Sequence, residues 1–225
     1  SDARYVGFTN GIFDVQTMTL LPYSPDIVVT NLIPWEYNPD AYSEVMDNVL
    51  NKLSCGDDSI RALLEECIGA CFYRSNTLGG GKSFILTGDR SNGKSTFLKC
   101  IHNVLGDVNI SSLDLSELGG QFNTAMLYSK LANIGDDIGD EYIDGKQGAI
   151  YKKLVTGERL KAERKGQDPF EFNSYAKLLF SANDIPRIKD KTGAVLRRII
   201  IIPFNASFSK SDPDYDPYIS HKLKS

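Results

Sequence analysis

The spacing of apolar residues changes twice along the chain, and the changes divide it into three stretches. Up to about residue 40, short apolar runs such as Asp26-Ile-Val-Val-Thr30 alternate with Asn10-Gly11, Pro22, Pro25, Pro34 and Pro39. That pattern predicts turns and short strands, a small leading appendage. From Asp40 to about Asn76 the apolar positions fall at helical spacing: Val45, Val49, Leu50 and Leu53, then Ile60, Leu63, Leu64, Cys67, Ile68 and Cys71. Two helices fit, with Cys55-Gly56-Asp57-Asp58 as the break.

After the flexible Leu78-Gly-Gly-Gly-Lys82 the period changes again. The spacing predicts strands over 83–87, 108–113, 130–134, 177–182 and 198–203. Helices are predicted over 95–105, stopped by Gly106, and over 147–156. A broken helix is expected over 115–128 and a charged hairpin over 158–172. Strands alternating with helices imply an α/β fold, a central mainly parallel sheet with helices on both faces. The expected organisation is an N-terminal strand and helical appendage over 1–78 and a core over 79–225.

With 225 residues, 41% of them hydrophobic, the chain can build a core without disulfides or structural metal. Cys55, Cys67, Cys71 and Cys100 form no CxxC pair, and their only possible nitrogen partners are His102 and His221. Four reduced, mostly buried thiols are expected rather than a zinc site. No apolar run approaches membrane-spanning length and no signal peptide opens the chain, so no membrane is expected and the protein reads as cytoplasmic. The net charge of −4 argues against coating duplex DNA by charge alone, but the charge is uneven. Lys152 to Arg198 holds 12 Lys/Arg against 6 Asp/Glu, and the remainder 13 against 23.

Gly88, Asp89, Arg90, Ser91, Asn92, Gly93, Lys94 and Ser95 spell GxxxxGK[ST] between a predicted strand and a predicted helix, with Thr96 next. Glycines let such a loop curve so that backbone N–H groups and a helix N-terminus face phosphate. Lys94 would reach the β- and γ-phosphates, and the Ser95 hydroxyl would ligate Mg²⁺. The bland alternative is an ordinary glycine turn. A metal-side acid is expected at the end of a neighbouring strand. Asp136 is the candidate, with Asp137 for polarising water; the alternative is a merely acidic loop that includes Asp140, Glu141 and Asp144.

Asn183 ends the apolar run 177–182 and could orient water against the γ-phosphate if that strand lies between the other two; taken alone it is a normal turn residue. Arg197 and Arg198 precede a buried run and either form a salt bridge at home or act as an arginine finger on a neighbour's nucleotide. His102 is expected on a helix surface, Trp35 as an anchor for the leading segment, and the aromatics as core rather than a base-stacking platform.

In this order, the elements resemble the superfamily 3 (AAA+) helicase domain of phage and plasmid primase-helicases, the group that includes the poxvirus type. Gly88 to Ser95 resembles motif A, Leu131 to Asp137 motif B, and Leu178 to Asn183 motif C. The arginine finger expected about fourteen residues later falls on Arg197 and Arg198. Phe8-Thr-Asn-Gly-Ile-Phe-Asp-Val and Leu21-Pro-Tyr-Ser-Pro-Asp resemble the region before the helicase core. The resemblance implies an AAA+ P-loop NTPase using ATP and Mg²⁺ at the interfaces of a homo-oligomer, a hexameric ring. It also implies translocation on single-stranded DNA, a primase domain or protein as partner, and a phage or mobile element in a bacterial host.

The hairpin would hold DNA through Lys161, Arg164 and Lys165, against the alternative of a solvated hairpin without ligand. The chain is expected to be an excised fragment, since family members carry flanking domains. Two other functions fit the motifs: an ATP-gated docking module of a replication initiator, and a small-molecule P-loop kinase.

Overall fold

The structure is a computed structural model that describes residues 2–77, 80–135, 138, 142–143, 145–189 and 192–224. The leading segment contributes β1 (Tyr5–Phe8), β2 (Gly11–Asp14), β3 (Thr19–Leu21) and β4 (Leu32–Ile33), in the order β3-β2-β1-β4. Only β4 runs parallel to its neighbour, β1. The run from Asp26 to Thr30, expected to lie in strand-like structure, is not a strand. The Ile27 N–H bonds the Ser24 carbonyl in a turn, and Val28 is 67% exposed. Pro25 has no N–H to give a ladder, so pairing resumes only at Leu32.

Two helices follow, α1 (Glu44–Leu53) and α2 (Asp58–Phe72). Each begins on a side-chain cap: Ser43 accepts from the Met46 N–H, and Asp57 from those of Ser59 and Ile60. The apolar positions that predicted them supply the buried faces, Val49, Leu50 and Leu53 on α1 and Leu64, Cys67 and Cys71 on α2.

The core elements are β5 (Ser83–Thr87), α3 (Lys94–Leu105), β6 (Ile110–Ser111), β7 (Ala132–Ile134), β8 (Tyr142–Ile143), α4 (Gly145–Thr156), β9 (Arg159–Ala162), β10 (Phe170–Asn173), β11 (Lys177–Ala182), β12 (Arg187–Ile188), β13 (Ile199–Pro203) and α5 (Ile219–Lys222). Five of the strands form an all-parallel sheet in the order β13-β5-β11-β7-β6. The strand predicted over 108–113 is shorter than expected because Asp107–Asn109 makes a 3₁₀ turn. The Asn109 amide holds that turn by bonding the Leu32 and Leu105 carbonyls. The expected broken helix is two 3₁₀ turns, Leu115–Glu117 and Thr124–Leu127.

Successive β5 residues feed opposite cores, as the two-residue strand period requires. Phe84 and Leu86 join Leu64, Phe97, Ile101 and Leu105 on one face, while Ile85 joins Tyr151, Leu154 and Phe180 on the other. The first core also contains Val6, Phe13 and Ile33, so residues on both sides of position 78 share it. Polar ties cross the same junction. Lys177 donates to the carbonyls of Tyr73 and Ser75, and the Asn76 amide to those of Leu154 and Ala176.

Candidate nucleotide site

The glycine-containing loop leaves β5 and enters α3, and its backbone explains its residue types. Gly93 is the N-cap of α3 at φ +92°, with no side-chain cap bond, so the helix's first N–H groups are left for an anion. Ser91 is also left-handed, at φ +62°, an uncommon state for a residue with a β-carbon. A β-carbon on Gly88 would come 2.4 Å from the Phe204 carbonyl oxygen, so that position admits glycine alone.

Lys94 is buried, and its ammonium folds back on the loop carbonyls of Gly88 and, at 3.2 Å, Asp89. Among the described residues no carboxylate makes a salt bridge with it. Ser95 is exposed and Thr96 half-buried on the first turn of α3. A cavity of about 240 Å³ is lined by all eight residues from Asp89 to Thr96 and by Ser181, Asn183 and Phe208. A ring of backbone donors, one buried lysine and a hydroxyl at a helix N-terminus fits a triphosphate and a metal bound to it.

The strand order delivers Asn183 to this cavity. Because β11 lies between β5 and β7, its C-terminal end emerges beside the loop, and the Gly88 N–H bonds the Ala182 carbonyl at 3.2 Å. Asp136 and Asp137 lie outside the described residues. The residues flanking them, Gly135 and Ile138, donate to the β11 carbonyls of Leu179 and Ser181.

Arg197 and Arg198 stand elsewhere. The β13–β5 register pairs Ile199 with Ser83, so the arginine pair sits at the start of β5 while the loop leaves its end. Four strand steps of about 3.3 Å separate the two, about 13 Å. Arg198 is half-buried and donates to the Ala194 carbonyl in its own turn, whereas Arg197 is exposed.

The hairpin forms as expected from β9 and β10, with Ala162 opposite Phe170 and Gly166 at φ +73° in its tip. Its three candidate cations differ. Lys161 pairs with Glu163 at 3.8 Å, and Lys165 is exposed at the tip. The Arg164 guanidinium lies 4.6 Å from the Phe170 ring centre and 5.5 Å from that of Tyr128. Tyr128 stands edge-on to Phe170 and Phe172, so aromatics do accompany the basic segment, one of them from a remote part of the chain. His102 bonds Asp107 on the surface of α3, and the Trp35 indole anchors the leading segment through the Asn103 carbonyl.

The motifs did not point to the tail after β13. The Asn92 amide donates to the Ala206 carbonyl, and the Phe208 N–H bonds the Ser91 carbonyl at 2.8 Å. A single aromatic in an irregular tail has no periodic signal, and its place follows only from the path of the chain over the loop. Ser181 gives no signal for another reason: it is one small polar residue inside a strand buried along its whole length.

Comparison with known proteins agrees with this architecture. Residues 86–198 match the model of a "Family of unknown function (DUF5906)", and residues 1–66 match "D5 N terminal like". "Putative helicase 184R" of Invertebrate iridescent virus 6 is 27% identical over 94% of the chain and 23% of its own length. "Putative helicase L207/L206" of Acanthamoeba polyphaga mimivirus is 24% identical over 91% of the chain and 22% of its own length. The chain thus spans under a quarter of these curated relatives.

Among solved structures, the NrS-1 C terminal region superposes with a TM-score of 0.65 at 20% identity, over 82% of this chain and 43% of that one. JCV helicase gives 0.50 at 13% identity, over 83% and 53%. Among the described residues no helix is long and apolar enough to cross a membrane.

Proposed function

The chain belongs to the DUF5906 family, and from that premise we propose that it is the ATP-hydrolysing motor of a superfamily 3 (AAA+) helicase in a viral or mobile-element replication protein of the primase-helicase type. The observation that carries the reading is the strand order: with β11 between β5 and β7, one cavity receives both the GxxxxGKS loop and Asn183. The match to "D5 N terminal like" and the helicase names of the relatives support the same class.

The reaction is phosphoryl transfer from ATP to water, which relies on positioning and charge stabilisation rather than covalent chemistry. Lys94 is desolvated and aimed at carbonyls of its own loop, contacts it would exchange for the β- and γ-phosphate oxygens. The N–H groups of Ser95 and Thr96 hold the phosphates at the start of α3. Mg²⁺, with Ser95 and Asp136 as its protein ligands, would supply charge neutralisation across the phosphate oxygens. Asp137 and Asn183 polarise and orient the attacking water.

Arg197 works in trans. It stands about 13 Å along β5 from its own loop, so it stabilises the transferring phosphoryl group on a neighbouring subunit. Hydrolysis then requires a ring, proposed as a hexamer, with Lys161, Arg164 and Lys165 holding single-stranded DNA in its channel. A primase domain or protein is the proposed partner, on the resemblance of the motifs to those of primase-helicases.

One observation favours a second reading. Lys161 is paired and Arg164 lies on aromatic rings, which leaves Lys165 as the hairpin candidate with neither an ion pair nor a ring contact among the described residues, and suits an ATP-gated docking module that does not unwind. The deciding experiment is Mg²⁺-dependent ATP hydrolysis against protein concentration, with and without single-stranded DNA, while light scattering reports mass. Specific activity that rises with assembly and again with DNA supports the motor. A confirmed ring whose turnover ignores DNA supports the docking module, and absence of nucleotide binding overturns both.

A further inference from the structure

The phosphate cavity is small, and a larger one of about 560 Å³ opens beside it, within the range of small-molecule sites. The two share Thr96 and Phe208 as walls. The Phe208 ring marks the junction, since a β-carbon on Gly93 would come within 2.7 Å of it. The far walls come from the two ends of the chain: Val45, Asn48 and Val49 of α1 on one side, Tyr215 and Ile219 of the tail on the other.

The charges around this groove are already neutralised in pairs. Lys52 binds Asp214 at 2.9 Å and lies 4.4 Å from the Phe208 ring centre, and Lys222 binds Asp216 at 2.5 Å. A groove whose cations are taken, and which sets Phe208, Tyr215, Val45 and Ile219 between those ion pairs, does not suit further phosphates. It suits a flat, uncharged group attached to them, with the Asn48 amide, a donor and an acceptor in one plane, offered to its edge.

We propose that this groove holds the nucleoside of the bound triphosphate, with α1 and the tail as its walls and Asn48 as a residue that reads the base. The proposal rests on the phosphate-loop reading and assigns to the leading segment a direct part in nucleotide recognition. It also makes occupancy felt at both ends of the chain, because the base bridges α1 and residues 208–219.

The test is calorimetric titration of the whole chain with Mg-ATP and, separately, with Mg-tripolyphosphate, which has the phosphates and no base. Val45→Trp fills the groove from a half-buried position on α1. Asn48→Ala removes the amide at an exposed helical site where alanine favours the fold. The expected result is an ATP affinity lower by about tenfold for Val45→Trp and severalfold for Asn48→Ala, with tripolyphosphate affinity unchanged.

Wild-type ATP affinity in both variants overturns the groove. Lys94→Ala separates the two readings: loss of both ligands upholds the phosphate loop whatever the groove variants do. ATP binding that survives Lys94→Ala and fails in Val45→Trp overturns the loop and keeps the groove.

Discussion

The Ser83 hydroxyl donates a hydrogen bond to the Arg198 carbonyl at 3.1 Å, and this contact pins the arginine pair to the beginning of β5, the end remote from the phosphate loop. The neighbouring Lys82 ammonium holds the Arg197 carbonyl at 2.6 Å. The backbone here is fixed by two donors, while only one of the two guanidiniums remains on the surface.

Arg197 and Arg198 are therefore expected to separate on mutation. In assembled protein Arg197→Ala should lower ATP hydrolysis by about 10³-fold with nucleotide binding retained. Mixing it with Lys94→Ala should restore activity through rings that hold one intact shared site. Arg198→Ala, which removes a half-buried side chain bonded to the Ala194 carbonyl, should lower the thermal midpoint and give no such complementation. Equal behaviour of the two variants in mixed rings would defeat the assignment.

Gly93→Ala should damage both stability and nucleotide binding. The new β-carbon would lie 2.4 Å from Leu53, which is 2% exposed, at a φ of +92° that alanine rarely adopts. Overpacking of this kind costs about 1–3 kcal/mol, which for a chain of this size moves the melting midpoint by about 2–4 °C per kcal/mol. A thermal scan together with ATP titration checks it, and an unshifted midpoint would remove the close approach.

The thiols should react in two classes. Cys55 is exposed, whereas burial pushes the Cys100 thiol up to about 11 and Cys71 up to about 12, and raises Cys67 as well. Because only the thiolate is the nucleophile, a disulfide reagent at pH 8 should modify one cysteine quickly in the native protein and the other three only on unfolding. Two or more fast thiols would contradict the packing of α2 and α3.

On the hairpin, Lys165→Ala should weaken single-stranded DNA binding more than Lys161→Ala, since Lys161 is paired with Glu163 at 3.8 Å. The slope of log affinity against log salt should become shallower by about 0.7 for each subunit whose Lys165 meets a phosphate. Equal slopes in wild type and Lys165→Ala would take the tip out of DNA contact.

What the sequence made legible was local. The loop from Gly88 to Ser95 announces itself because each glycine answers a backbone requirement within eight residues, and α1 and α2 because a helix repeats its buried face every turn. The position of β11 was a conditional expectation, and the sheet order meets the condition that places Asn183 at the loop. The groove was not legible. Phe208 reaches Gly93 through a tail without periodicity, and Tyr128 reaches Arg164 across more than thirty residues; contacts of this kind are set by chain path. The short run after Pro25 misled for the opposite reason, since β-branched residues look like a strand whether or not a partner strand is within reach.

The edge position of β13 bears on how the isolated protein behaves in a tube. Among the described residues this strand has a ladder partner on one side only, and its Ile199-Ile-Ile-Ile202 sequence is the kind that recruits a foreign strand. Two features limit that hazard. Arg197 and Arg198 place like charges at one end, so stacked copies would repel, and Pro203 at the other has no N–H to extend a ladder. Replacing Pro203, the guard that stands apart from the proposed hydrolysis machinery, would be felt first in solubility and shelf life.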